Sequence, residues 1–384
     1  MSLIVFPFKQ EDINVLSANL STAARHDRVD EVWAVAATEG DEMNHVASIA
    51  AVIAAHESTP IKVFAQEPIG NFRSGKGDGM NTAMQRAAER GFERVHFYDA
   101  DITNFDHNWI DGAEIGADRG YGVVRHRFPR ASTDAMITWM ITRPSLAMFF
   151  PDTILPQLGQ PLGGEMLLTG AAVESLASDP LVRARSDWGV DTMITHATTT
   201  LGLPIYEHNV AEGKRHALYG TLDEIKTMAV ECLYAVISIR GKTFPDKDTE
   251  FATDPSEPAP GDLKNTVAYD VDPTIALLTG PWEGGEADLV ESLPKPLAEE
   301  ILLNQGTPNY QFMDAPTWGT ALAALHRGFR LSDPAWESLA FRMWLMRVLA
   351  YTTNQALQGY DSAIRYLDQT IRDYEKPADH HRQT

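Results

Sequence analysis

The stretch Val95–Thr103, VHFYDADIT, decides how the rest of the chain is read. Mostly apolar, strand-like residues run directly into two carboxylates spaced one residue apart. In an extended segment side chains alternate faces, so Asp99 and Asp101 would point one way and Ala100 the other. Like charges held that close repel unless a cation lies between them. The stretch reads either as a solvated acidic turn after a strand or as a divalent-metal site at the carboxyl end of a central strand. Open α/β sheets place their ligands at such strand ends.

Upstream of Asp99, residues 3–6, 31–37, 61–65 and 94–98 are short, β-rich apolar runs, separated by helical apolar spacing around 11–25, 42–57 and 78–90. Strand, helix and strand repeated in this way predict a mostly parallel sheet covered by helices, with Asp99 closing the fourth strand. Downstream the pattern is less regular. Helices are expected at 106–118, 133–149, 190–201 and 222–240, and strands at 120–125, 165–169 and 203–207. The acidic, proline-rich residues 241–262 read as a linker or long surface loop. Beyond them the chain reads as helices only, clearest at 334–358 and 360–374. The expected organisation is a catalytic domain over 1–240, the linker 241–262, and a helical domain over 263–384. Trp336, Phe341, Trp344 and Tyr351 recur at helical spacing and read as core.

Composition narrows the function. The 384 residues, 44% of them hydrophobic, suffice for a large core and exclude a disordered or fibrous chain. With 53 acidic against 32 basic residues the net charge is -21, which repels a polyphosphate and argues against nucleic-acid binding. The same surplus suits solubility, in an ordinary or a salty cytoplasm. Cys232 has no cysteine to pair with and sits in an apolar helical pattern, as expected of an inert thiol in a reducing compartment. No apolar run approaches membrane-spanning length, and the run Leu3–Phe8 is too short for a signal core. These features predict a cytoplasmic protein with no membrane partner. The apolar stripes of the helical tail would allow a homo-oligomer interface.

Five further stretches could carry chemistry. Gly70–Gly77, GNFRSGKG, has phosphate-loop spacing, but Gly77 stands where a metal-binding Ser or Thr is needed, which argues against a phosphate-loop ATPase. What remains is a flexible glycine loop leading into a helix near 78–90, with Lys76 able to reach a diphosphate. Arg130 precedes Ser132 and Thr133, candidate helix caps, so a guanidinium and free helix N–H groups would converge where a carboxylate could bind; the alternative is a capped helix with a solvated Arg. Gln160–Glu165, QPLGGE, permits close backbone approach to a ligand or simply a tight turn. In Ser186–Thr192, SDWGVDT, Trp188 and Asp191 suit a sugar platform or a helix start. His216, in a basic loop bounded by Gly213 and Gly220, could complete a metal shell begun by Asp101.

In this order and spacing, VHFYDADIT, GKGDGMNTA, VVRHRFPRASTDAMITWMITR, QPLGGE, RSDWGVDT and EGKRHALYG resemble the mannosylglycerate synthase family. These are retaining glycosyltransferases with a GT-A fold, a Rossmann-like mixed sheet. The likeness extends more loosely into the helical tail, at Asn309–Asp314 and Gly359–Asp361. It implies transfer of α-mannose from GDP-mannose to the 2-hydroxyl of D-glycerate, dependent on Mg²⁺ or Mn²⁺, to make a compatible solute. By the same resemblance Asp101 and His216 would be metal ligands, Asp99 would sit at the donor ribose or behind the metal, and Lys76 would meet the nucleotide. Pro7, Lys9, Gln66, Ala100, Leu162 and Tyr219 would line the donor site. Arg130 would clamp the acceptor carboxylate, Asp134 and Thr138 would hold its hydroxyls, and Trp188 and Asp191 would flank the sugar. The expected route is front-face substitution, in which the departing phosphate helps deprotonate the acceptor and Asp191 orients the sugar; for a double displacement, which the resemblance does not establish, Asp191 is the candidate nucleophile. A sister transferase using GDP- or UDP-glucose, or a lactate or glycolate acceptor, would share these motifs, as would a nucleotide-sugar-binding protein without turnover. One departure stands out. After His216 the chain reads Ala217–Leu218 where the family carries an additional Arg, a diphosphate contact that Arg215 would have to supply.

Overall fold

The computed structural model describes residues 1–216, 221–242, 249–256 and 270–376. They form two compact units. The first comprises the described residues of Met1–Pro129, Gln157–Ala217 and Lys242–Asp262, and the second those of Arg130–Pro156, Leu218–Gly241 and Leu263–Thr384.

The first unit is built on a sheet of β1 (Ser2–Phe8), β2 (Glu31–Ala36), β3 (Ile61–Ala65), β4 (Arg94–Phe97), β5 (Val123–Arg127), β6 (Met166–Thr169), β7 (Ile205–Asn209) and β8 (Phe251–Thr253). The strand order is β3-β2-β1-β4-β6-β5-β7-β8. β6 runs antiparallel to both β4 and β5, and the other pairs are parallel. The sheet is therefore mixed, as the family resemblance implies. Leu3, Ile4, Val5 and Phe6 are all 0% exposed, which explains why β1 is a continuous apolar run rather than an alternating one: helices cover both faces. The chain moves outward from β1 to β2 and β3, then returns to place β4 on the other side of β1. Such a reversal opens a crevice at the carboxyl ends of β1 and β4.

The helices of this unit are α1 (Ile13–Ala24), α2 (Asp41–Glu57), α3 (Lys76–Glu89) and α4 (His107–Asp118), followed, after α5 (Arg143–Phe149) of the second unit, by α6 (Gly170–Ser178), α7 (Pro180–Ala184) and α8 (Val190–Thr200). Asp12 and Asp106 cap α1 and α4 by accepting from Asn14 N and Asn108 N, each satisfying a helix-end donor. α6 and α7 lie in a stretch for which the apolar spacing predicts no helix. The stretch 241–262, expected as a linker, supplies β8, which pairs with β7 through Ile205↔Phe251.

The second unit is helical: α5, then α9 (Leu222–Ile239), α10 (Val271–Thr279), α11 (Gly285–Glu291), α12 (Lys295–Leu303), α13 (Ala315–Arg327), α14 (Pro334–Asn354) and α15 (Tyr360–Glu375). Trp336, Phe341, Trp344 and Tyr351 of α14 are buried, as their spacing predicts. Residues 130–156, which sequence pattern assigns to the catalytic domain, belong here. The reason is specific. Thr138–Thr142 forms a π-helical turn, and aromatic donors of this unit hold the backbone around it: Trp318 Nε1 donates to Met140 O (2.5 Å), Trp344 Nε1 to Met136 O (3.3 Å) and the Tyr351 hydroxyl to Ser132 O (2.7 Å). The helix expected over 133–149 starts at residue 136, so Ser132 and Thr133 lie in a turn rather than at its cap. Cys232 is buried in α9, as expected. Among the described residues no helix is long and apolar enough to cross a membrane.

Candidate active site

The two carboxylates of the opening stretch lie beyond the strand. β4 ends at Phe97, Tyr98 N still donates to Val5 O at 3.0 Å, and Ala100 and Asp101 lie in a turn. Strand alternation is therefore not what aims the acids. The turn is held from behind by Asn19, whose Nδ2 donates to the carbonyls of Ala100 (3.1 Å) and Ile102 (3.0 Å).

Asp99 sits between two ammonium groups. Its Oδ1 accepts from Lys76 Nζ at 2.9 Å and its Oδ2 from Lys214 Nζ at 2.5 Å. Burial pushes the Asp99 carboxyl up, but the two lysines outweigh burial and hold it well below the usual carboxylate range. Lys214 also donates to Glu165 Oε1 at 2.5 Å, while Lys76 reaches Asp191 Oδ2 at 3.3 Å. Burial opposes the charge on Lys76, yet Asp191, Asp99 and Glu165 keep it well above the ordinary lysine value. For Asp191 and Glu165 burial prevails and both carboxyls are raised. Asp191, in the first turn of α8, and Glu165, before β6, each keep one buried oxygen without a hydrogen-bond partner among the described residues. A buried acceptor in that condition is costly unless a ligand or water meets it.

Asp101 faces His216, with Oδ2 and Nδ1 3.8 Å apart. Two ligands about 2.1 Å from one hard cation are separated by about 3.0 Å when adjacent and about 4.2 Å when opposite; the observed separation lies between these, so an ion bridging the two atoms requires one side chain to shift by a few tenths of an ångström. Among the described residues no group of three or more His, Cys, Asp or Glu side chains could hold a metal. An ion on Asp101 and His216 would keep open positions that diphosphate oxygens can fill. Glu11, after β1, is a further carboxylate in this field: burial, then Asp101 and Asp99, push it to about 7.

The turn carrying Leu162 is clamped from below. Arg125 and Glu207 are register partners on β5 and β7. Arg125 Nη2 donates to the carbonyls of Gln160 (3.3 Å), Pro161 (3.3 Å) and Gly163 (2.8 Å), and Glu207 Oε1 accepts from Gly159 N (2.7 Å) and Gln160 N (3.4 Å). Gly164 ends the turn against the lysine: a Cβ there would stand 2.1 Å from Lys76 Nζ. QPLGGE thus makes a tight turn and a close approach at once.

The glycine loop turns out differently. Asp78 Oδ1 accepts from Ile69 N and Gly70 N, its Oδ2 accepts from the Ser74 hydroxyl, and a Cβ on Gly77 would come within 2.3 Å of Arg185 O. The loop is tied and packed, and its glycines are required for contact with the 185–186 backbone rather than for flexibility. Lys76 remains its contribution to the site.

The structure brings Lys76, Asp99, Asp191 and Trp188 together, with Lys76 Nζ 5.7 Å from the Trp188 ring centre, and Asp101 with His216. Trp188 is half-buried. Gln66 Oε1 and Pro7 Cβ both border the first turn of α3, 3.2 and 3.5 Å from a Cβ position on Gly79, and Lys9 follows β1, exposed. Arg130, Asp134 and Thr138 lie in the second unit. There Arg130 Nη1 pairs with Asp134 Oδ2 at 3.1 Å, and Thr138 opens the π-helical turn. Tyr219, Ala217 and Leu218 lie outside the described residues. Sequence reading missed Lys214, Glu165 and Glu11. The first two fall within stretches already singled out, EGKRHALYG and QPLGGE, but only folding shows that they meet.

A mixed sheet with its switch point at β1 and β4, acids at that point and a helical companion unit is the architecture of a GT-A glycosyltransferase. Solved structures agree on the fold: glucosyl-3-phosphoglycerate synthase from Mycobacterium tuberculosis, in a complex with phosphoglyceric acid, superposes with a TM-score of 0.50 at 21% identity over 64% of this chain and 81% of that one. The same enzyme in complex with Mn²⁺, UDP and glucosyl-3-phosphoglycerate matches at 20% identity, with a TM-score of 0.50 over 64% and 81% of the two chains. The model for the GT domain of mannosylglycerate synthase matches residues 2–238, and that for its C-terminal domain matches residues 263–371. Mannosylglycerate synthase of Rhodothermus marinus is 44% identical over 375 residues, 97% of this chain and 94% of its own, and that of Selaginella moellendorffii is 41% identical over 374 residues, 97% and 89%. The chain belongs to the mannosylglycerate synthase family and is a glycosyltransferase.

Proposed function

We propose that this chain moves α-mannose from GDP-mannose to the 2-hydroxyl of D-glycerate with retention of configuration, in the cytoplasm, with Mg²⁺ or Mn²⁺ held by Asp101 and His216. The observation that carries the reading is the placing of Lys76 between Asp99 and Asp191 at the strand-end crevice, beside the Asp101–His216 pair. A diphosphate donor and a carboxylate acceptor together bring about three negative charges to an already acidic site. The bound cation would neutralise charge developing on the departing phosphate. Lys76 binds the same diphosphate, and Pro7, Lys9, Gln66, Ala100 and Leu162 line the donor. Arg130 binds the acceptor carboxylate, and Asp134 and Thr138 orient its hydroxyls.

In the transfer step the acceptor 2-oxygen forms a bond to the anomeric carbon, the bond from that carbon to the phosphate oxygen breaks, and the hydroxyl proton passes to the departing phosphate. Asp191 and Trp188 flank and orient the sugar. Double displacement would instead require a carboxylate on the opposite face, and Asp191 is the candidate. A covalent sugar trapped on Asp191 in a slowed variant would replace the front-face reading with that one.

The test is one competition reaction with D-glycerate, Mg²⁺ or Mn²⁺, and equimolar GDP-mannose, GDP-glucose and UDP-glucose, with products read by NMR. The expected product is α-mannosyl glycerate, lost on chelation. A glucosyl product would move the assignment to a sister activity, and donor binding without any product would favour a nucleotide-sugar-binding protein.

A further inference from the structure

We propose that Lys214 is a positioning residue for the donor: a fixed counterion that holds Asp99 and Glu165 so that Lys76 can leave Asp99 for the donor diphosphate. The inference rests on the reading of this crevice as a nucleotide-diphosphate site.

The two lysines share three carboxylates but differ in access. Lys76 touches Asp99 and Asp191 with 11% of its side chain exposed, whereas Lys214 touches Asp99 and Glu165 at 4%. Glu165, at 0% exposed, has Lys214 on one oxygen and no hydrogen-bond partner on the other among the described residues. Lys76 also lies against Gly164, where even a methyl group would displace its ammonium. Lys76 is thus the ammonium that a ligand can reach, and Lys214 the one that stays.

The exchange has a definite charge balance. In this structure each oxygen of Asp99 has its own ammonium. When Lys76 turns to a phosphate it gives up Asp99 Oδ1 and Asp191 Oδ2. Without Lys214, Asp99 and Glu165 would then be two neighbouring carboxylates with no cation, and an uncompensated buried charge is far more costly than a shared one. Lys76 would stay on Asp99, and the site would repel the diphosphate. With Lys214 in place one ammonium serves both carboxylates, and Arg125 remains the cation acting on Asp191. No bond is made or broken in this role; Lys214 acts through the availability of Lys76.

The test is isothermal titration of GDP and, separately, UDP in the presence of Mg²⁺ into the full chain and the variants K214M, K214R, E165Q and K214M/E165Q, each with its melting temperature. K214M is expected to weaken GDP at least tenfold and K214R to stay within about threefold. K214M/E165Q should recover part of the loss, because Glu165 no longer adds a second uncompensated carboxylate beside Asp99. A folded K214M that binds GDP within threefold of wild type, or a double variant no better than K214M, overturns the proposal; a purely structural Lys214 would lower the melting temperature without this pattern. Should K214M fail to fold, E165Q decides. It is expected to bind GDP at least as tightly as wild type, and weaker binding at an unchanged melting temperature overturns the role. A wild type that binds UDP but not GDP overturns the donor assignment alone, since the Lys214 comparison then runs on UDP. Binding of neither overturns both.

Discussion

Around Asp99, in the sheet unit, two lysines bridge three carboxylates and leave buried oxygens of Glu165 and Asp191 without hydrogen-bond partners among the described residues. Around Arg130, in the helical unit, an ion pair four residues apart forms with Asp134. Both regions carry charge for charged substrates, but they are prepared differently. In the first, Lys214 still compensates Asp99 when Lys76 is withdrawn, and Arg125 remains the cation acting on Asp191. In the second, a ligand carboxylate must compete with Asp134 for the guanidinium. On the proposed reading, donor binding should depend on the whole network, whereas recognition of the acceptor's charge should depend chiefly on Arg130.

The strongest way to break this contrast is to remove the cation site. Asp101→Ala should lower the rate of sugar transfer on the order of a thousandfold, and H216A should follow it. A D101A enzyme with a tenth of wild-type activity would show that the Asp101–His216 pair is not where the ion acts. Next in size, Gly164→Ala should cost about a hundredfold in kcat/KM for the donor, because its Cβ would stand 2.1 Å from Lys76 Nζ. Unchanged donor kinetics would separate Lys76 from the diphosphate. Arg130→Ala should raise the acceptor KM about tenfold or more while the donor KM moves less than about twofold, the loss of one charge-assisted pair. Equal shifts in both constants would remove the contrast between the regions.

The smallest effect sharpens the electrostatics. Glu11 has its pKa raised from an ordinary value of 4.5 to about 7. Between those values the folded chain holds a proton that the unfolded chain has lost, so stability falls as pH rises through the window. Glu11→Gln, measured with chelator, should leave the melting temperature unchanged near pH 4 and raise it by roughly 1–3 °C at pH 8. A gain that is the same at both values would mean that Glu11 does not feel Asp99 and Asp101.

Much of the first unit was legible because its strands are buried on both faces and must be apolar throughout, as Leu3–Phe6 are. The acids of Asp-x-Asp lie past the end of β4, in a turn, so strand alternation had no part in aiming them. GNFRSGKG promised a flexible loop, and Asp78 and the 185–186 backbone tie it down instead. Local pattern could not reveal this, because the residues that tie the loop include a segment more than a hundred positions away. Residues 130–156 looked continuous with the strands around them, yet Trp318, Trp344 and Tyr351 draw their backbone into the helical unit.

The sequence by itself determined the class of sheet, the core of α14, the acidic balance and the residues that carry the family likeness. Each of these follows from short-range periodicity, from composition or from contiguous motifs. Tertiary structure alone decided that Lys214 bridges Asp99 and Glu165, that Arg125 and Glu207 clamp one turn from adjacent strands, and that one oxygen of Asp191 stays without a hydrogen-bond partner among the described residues. The physical reason is that a charge network depends on distances of a few ångströms between side chains far apart in the chain, which only the closed sheet and its burial set.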